Sequence, residues 1–233
     1  MRDTNEISAL LFDLQGTATD FYTPVSAALR QAFPGADVDE LVSRWRAAYF
    51  EQTGPDSPAD EQWVSVHAIY RTALDEVLRE AGIDADDELC EGLARSWQRL
   101  EPWPDSVTGL ARLRSRFTTA TLSNADVAAA VRIVKHAGLP FDAVFTAEMA
   151  GAFKPDPRTY LTAARYLDTP PEQIMMVACH KYDLRAAASL GFATAFVARP
   201  DEFGPGGSPD TSFDDEFTVN ATDFDDLADQ LGC

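Results

Sequence analysis

Asp13, Ser123, Asn124, Lys154, His180 and Asp183 are the side chains whose types could do chemistry together. Asp13 follows the apolar run ISALLF (7–12) and precedes the Gly16–Thr17 turn, so it falls at the tip of a buried strand. A carboxylate there can serve as a nucleophile. Lys154 can hold it ionised by placing an opposite charge nearby. Ser123 and Asn124 can offer donors to charge that develops during reaction. His180 can act as a base, because imidazole titrates near neutrality. Asp183 can orient Lys154 or activate water. At position 15, two residues past Asp13, stands Gln15, an amide with no titratable proton to give.

The elements that must position these groups follow from periodicity. "FTTATLSN", "FDAVFTAE", "QIMMVACH" and "ATAFVAR" read as strands, and helical patterns such as "DVAAAVRIVKHAG" and "DPRTYLTAARYLD" lie between them. This alternation predicts an α/β fold with a doubly wound parallel sheet. Between the first strand and the rest, "DELVSRWRAAYFEQ" and "WVSVHAIYRTALDEVLREAG" have helical spacing, separated by "GPDSP" at 54–58. We therefore expect a core from residues 1–21 and 103–233, with residues 22–102 as a helical cap inserted after the first strand. Ligands of open α/β sheets bind outside the carboxyl ends of the strands, which is where the six side chains converge.

Composition narrows the partners. The 233 residues carry a net charge of −19, a field that repels nucleic acid and anionic membranes. A small anionic substrate remains compatible, because local Arg and Lys can override a screened distant field. Cys90, Cys179 and Cys233 show no disulfide or zinc spacing, and Cys179 falls in an apolar strand, as a core residue does. The start, MRDTNEISALLFDL, lacks the pattern of a secretory leader, and no run is long enough to span a bilayer. A cytoplasmic protein is expected.

Together the motifs resemble those of the haloacid dehalogenase superfamily, and within it the L-2-haloacid dehalogenase (type II) branch. "FDLQGTATD" is similar to the first motif, "LSN" to the second, "FKPDPRTY" to the third and "VACHKYDLRAAASLGFATAFVARP" to the fourth. The resemblance implies a Rossmann-like core with a cap, and hydrolytic dehalogenation of short L-2-haloacids. Asp13 would displace halide and form an ester that water hydrolyses. It assigns catalytic roles to Asp13, Thr17, Ser123, Lys154 and Asp183. Substrate contacts would come from Gln15, Arg46, Asn124, Tyr160 and Tyr182. Arg46 in "SRWRAAYFEQ" corresponds to the family's cap arginine, whose planar fork suits a carboxylate. Arg44 lies on another face of the same helix.

Position 15 carries an acid in the superfamily's phosphatases, where it protonates a leaving alkoxide beside Mg²⁺. Halide needs no proton, so Gln15 points away from phosphoester chemistry. The resemblance implies no metal or cofactor, although Asp13 and Asp183 are still potential Mg²⁺ ligands. It also implies a homodimer as one option. Ala178 and His180 depart from the Ser and Asn of the branch, and His180 would then be the base for water. Two alternatives stand beside this reading: a hydrolase of the same scaffold acting on a phosphoester or specialised metabolite, and a non-catalytic binding protein.

Overall fold

Leu10 and Phe12 face one side of a parallel sheet, and Ala9 and Leu11 face the other. They belong to β1 (Ala9–Phe12), the interior strand on which the computed structural model is built. It describes residues 4–54 and 63–233. In chain order the other elements are β2 (Thr19–Asp20), α1 (Tyr22–Ala32), α2 (Val38–Thr53), α3 (Val66–Glu80), α4 (Asp87–Ala94), β3 (Glu101–Pro102) and α5 (Ser106–Arg114). There follow β4 (Thr118–Ser123), α6 (Val127–His136), β5 (Ala143–Thr146), α7 (Pro157–Tyr166), β6 (Ile174–Ala178), α8 (Lys181–Ser189), β7 (Ala193–Val197), β8 (Val219–Ala221) and α9 (Phe224–Gln230).

The sheet order is β5-β4-β1-β6-β7-β8, with every pairing parallel. Both faces are covered, which is why β1 and β6 read as unbroken apolar runs rather than alternating ones. The doubly wound α/β expectation is met. Phe12 of β1 pairs in register with Thr121 of β4 and Val177 of β6. The residues just past those positions therefore emerge at one edge: Asp13, Ser123–Asn124 and His180.

The helical stretch expected after β1 is α1 to α4. The short antiparallel ribbon of β2 and β3 ties its two ends together, a pairing too short to show as periodicity. Trp45, Tyr70 and Trp97 pack inside it, with Tyr70 and Trp97 stacked at 4.2 Å. Asp126, just before α6, fastens this layer to the sheet. Its carboxylate accepts hydrogen bonds from Val66 N (3.0 Å), His67 N (2.9 Å) and Ser65 Oγ (2.9 Å). It thus satisfies orphan donors at the start of α3, a helix far away in the sequence. The "GPDSP" break lies, beyond Gly54, outside the described residues. Among the described residues, no helix is long and apolar enough to cross a membrane.

Candidate active site

The loop after β1 turns back on itself at Gly16, whose φ of +90° favours glycine. Three contacts hold this turn. Trp103 Nε1 donates to Gly16 O (2.9 Å), and Arg199 Nε donates to Thr17 O (2.8 Å). Arg199 is itself fixed by a two-pronged pair with Asp105, at 2.8 Å for each bond. Asp13 N donates to Val177 O (2.9 Å), which ties the loop to β6.

Asp13 is consequently a rigid, buried carboxylate. Lys154 Nζ donates to its Oδ1 (3.0 Å) and Thr17 Oγ1 to its Oδ2 (2.8 Å). His180 Nδ1 lies 3.2 Å from the same Oδ2. Burial opposes ionisation, but the charges of Lys154 and His180 outweigh it and hold the Asp13 pKa well below the usual carboxylate range.

Lys154 bridges two carboxylates, with Asp183 Oδ2 at 2.5 Å on its other side. Burial works against its charge, and Asp13 and Asp183 reverse the effect and raise its pKa. Burial raises the pKa of Asp183, Asp13 adds to the rise, and Lys154 offsets it only in part. Asn124 positions this lysine through the backbone. Its Oδ1 accepts from Lys154 N (2.7 Å), and its Nδ2 donates to Lys154 O (3.1 Å) and Thr53 O (3.2 Å). The amide expected to contact substrate thus braces the Lys154 loop against the end of α2.

Gln15 and Arg46 face each other. Arg46 Nη1 donates to Gln15 Oε1 (2.9 Å) and to Tyr70 OH (2.7 Å). The guanidinium lies over Phe21, Tyr49 and Phe50 at 4.6 to 4.7 Å. It forms no ion pair among the described residues, and its Nε–H has no acceptor. A buried cation without a carboxylate is a ready site for an anion. Arg44, by contrast, pairs with Glu80 on the outside.

Asp13, Gln15, Arg46, Ser123, Asn124, Lys154, His180 and Tyr182 line one cavity of about 10 Å³, closed by Tyr49 and Phe50. It is large enough for about one water. Beyond Arg46 and Phe50, which belong to both, a groove of about 670 Å³ runs between α1, α2 and residues 203–207. Thr17, Tyr160 and Asp183 stand behind the cavity. Tyr160, expected to contact substrate, is fully buried on α7, and its hydroxyl donates to Asp183 Oδ1 (2.5 Å).

His180 differs from expectation in its charge. Its Nε2 lies 2.7 Å from Glu202 Oε1, while Nδ1 faces Asp13. Ionised Asp13 only accepts, so Nδ1 donates to it, and with Nε2 donating to Glu202 the ring is an imidazolium. Burial opposes this charge, yet the pKa stands well above the ordinary value. The carboxylates of Glu202 and Asp13 cause the rise, because burial keeps the neighbouring Cys179 thiol protonated. In the resting site His180 is therefore not a base.

Cys179, His180 and Glu202 bring ligand atoms within 4.8 Å of one another, and hydrogen bonds among them already occupy those atoms. Glu202 carries no sequence signal, since it lies in the irregular "RPDEFGPGG" loop. Tyr49 and Phe50 do carry one, because they follow Arg46 at helical spacing.

The haloacid dehalogenase-like hydrolase family model matches residues 7–191. An (S)-2-haloacid dehalogenase of Xanthobacter autotrophicus is 30% identical over 195 residues, covering 83% of this chain and 76% of that protein. A defluorinating L-2-haloacid dehalogenase of known structure is 34% identical with a TM-score of 0.90, covering 97% of this chain and 96% of the other. The fold also matches an L-2-haloacid dehalogenase from Xanthobacter autotrophicus with chloropropionic acid covalently bound, at TM-score 0.81, 24% identity and coverage of 97% and 98%. The buried Asp13–Lys154–Asp183 cluster and these similarities converge, and the chain belongs to the haloacid dehalogenase-like hydrolases, in their L-2-haloacid dehalogenase branch.

Proposed function

We propose that the protein hydrolyses short L-2-haloacids to 2-hydroxyacids through an ester on Asp13. The observation that carries this reading is the buried, carboxylate-free Arg46 aimed by Gln15 beside an ionised Asp13. Arg46 would bind the substrate carboxylate. Oδ2 of Asp13 already accepts from Thr17 and faces His180, whereas Oδ1 accepts from Lys154 alone, so Oδ1 keeps the freer lone pair. Its attack forms the C–O bond and breaks the carbon–halogen bond, with inversion at carbon. Halide leaves without a proton, so the missing acid at position 15 is no handicap. Water then attacks the ester carbonyl carbon, and Thr17 donates to the oxygen that gains charge.

The donor set supports a reaction without metal. Both Asp183 oxygens are engaged, by Lys154 and Tyr160, and the Gln15 carbonyl is turned to Arg46. We read residues 22–102 as the cap and residues 1–21 and 103–233 as the core, with substrate entering from the groove at Arg46 and Phe50. The net charge of −19 suits a soluble protein that avoids nucleic acid, and we read its compartment as the cytoplasm.

The test is halide release from L-2-chloropropionate with and without EDTA, beside p-nitrophenyl phosphate with Mg²⁺. EDTA-insensitive halide release that disappears in Asp13→Asn is expected. Mg²⁺-dependent phosphate release without halide release would overturn the proposal.

A further inference from the structure

We propose that Glu202 is a positioning residue that anchors His180 as a cationic clamp on free Asp13 and as the base for water once Asp13 is esterified. This rests on the ester chemistry proposed above. Glu202 is buried, follows β7 in a loop, and accepts from His180 Nε2 at 2.7 Å. Its second oxygen, Oε2, accepts from Cys179 Sγ at 3.7 Å. The Gly16 turn is shaped to admit it: a Cβ on Gly16 would come within 2.4 Å of Glu202 Oε1. The glycine that turns the nucleophile loop therefore also lets this carboxylate approach the imidazole.

Elimination points the same way. Of the groups lining the cavity, Tyr49 and Tyr182 have raised pKa values and stay neutral, and Lys154 is charged. Asp183 lies outside the cavity. The groups around His180 are Asp13, Glu202 and Cys179, with the rings of Phe50 and Tyr182 flanking it. Forming the ester removes the negative charge of Asp13. His180 then keeps one carboxylate partner instead of two, and its Nδ1 proton departs to solvent with the halide. Neutral His180, with Nε2–H held by Glu202, takes a proton from water as the oxygen attacks the ester carbon. It returns that proton to the departing alkoxide, and the carboxylic proton left on Asp13 passes to Nδ1. The net products are the 2-hydroxyacid, halide and one proton, and the resting charges are restored.

The experiment compares wild type with Glu202→Gln and Glu202→Asp, using L-2-chloropropionate. In Glu202→Gln the first equivalent of halide should appear at near the wild-type rate. Later turnover should fall on the order of 10²-fold, with the ester found on the Asp13 peptide by mass spectrometry. The rise of ester hydrolysis with pH should shift to lower pH, and Glu202→Asp should recover most of the rate. Independently of substrate, ¹H–¹⁵N spectra of the ring nitrogens should show the His180 titration midpoint moving down in Glu202→Gln. The chain has only three histidines to assign. A wild-type steady rate in Glu202→Gln, or an unmoved pH limb with an unmoved His180 midpoint, overturns the proposal. If wild type releases no halide, the dehalogenase reading fails, and the histidine midpoint alone then decides the pairing.

Discussion

Gln15 Oε1 lies 2.9 Å from Arg46 Nη1, so the amide that stands where phosphatases keep an acid also aims the only cation that α2 sends into the cavity. Gln15→Glu would replace that neutral acceptor with a charge that pairs with Arg46 itself. The substrate carboxylate must then compete for the fork. The KM for L-2-chloropropionate should rise about ten-fold or more, since charge-assisted bonds of this kind contribute about 1.5–3 kcal/mol. Steady-state kinetics check this, with kcat expected to change less than KM.

Lys154 separates Asp13 from Asp183 at 3.0 Å and 2.5 Å, and all three are buried. Removing the ammonium leaves two carboxylates facing each other without solvent. Lys154→Ala should therefore cost about 3–5 kcal/mol in urea unfolding. Activity should be lost as well, because Asp13 would no longer be held ionised. Lys154→Arg should fold better than Lys154→Ala yet misplace the charge, and halide assays separate the two effects.

Much of this arrangement was legible in the sequence. Asp13, Ser123, His180 and Lys154 sit at strand ends or in loops that chain order alone brings to one sheet edge. Their partners were harder to see. Glu202 lies in a loop without periodicity, and its closeness depends on an absent side chain at Gly16. Tyr160 and Asn124 have the chemistry of ligands, but packing turned both toward Asp183 and Lys154. Asp126 immediately precedes α6, and the fold uses its carboxylate on α3. Sequence patterns report which face is apolar, whereas these contacts depend on which remote element meets a polar group.

Tyr160 donates to Asp183 Oδ1 and does not touch the cavity. Tyr160→Phe should thus leave KM within about two-fold, unlike the loss expected of a substrate contact. The carboxylate loses one of its donors in a buried place, at a cost of about 1–3 kcal/mol. Chemical denaturation beside steady-state kinetics distinguishes the two roles. A large rise in KM with unchanged stability would contradict the placement.

Asp126 accepts from two backbone N–H groups at the start of α3 and from Ser65 Oγ. Asp126→Ala should cost about 1–2 kcal/mol, the range for losing a helix N-terminal acceptor. Because α3 carries Tyr70, which donates to Gln15 Oε1 at 3.1 Å, kcat/KM should fall together with stability. Asp126→Asn keeps an acceptor and should recover part of both. Hydrogen exchange at Val66 and His67 amides reports the same contact directly, and should be faster in Asp126→Ala.

The charge on His180 makes a prediction of definite sign for stability. Its folded pKa is raised, while the unfolded value is about 6.5. The protein therefore gains stability from binding this proton in full below about pH 6.5. The gain is lost as pH rises through the folded pKa. Asp13 acts in the opposite direction: its lowered pKa contributes above the ordinary carboxylate value and is lost only in acid. Between neutral and alkaline pH the His180 contribution should therefore change while that of Asp13 stays constant. The difference in unfolding free energy between wild type and His180→Gln, measured in urea from about pH 6 to about pH 10, should shrink steadily. A constant difference would mean that the ring carries one proton in the resting protein, and that Glu202 or Asp13 rather than His180 holds the other.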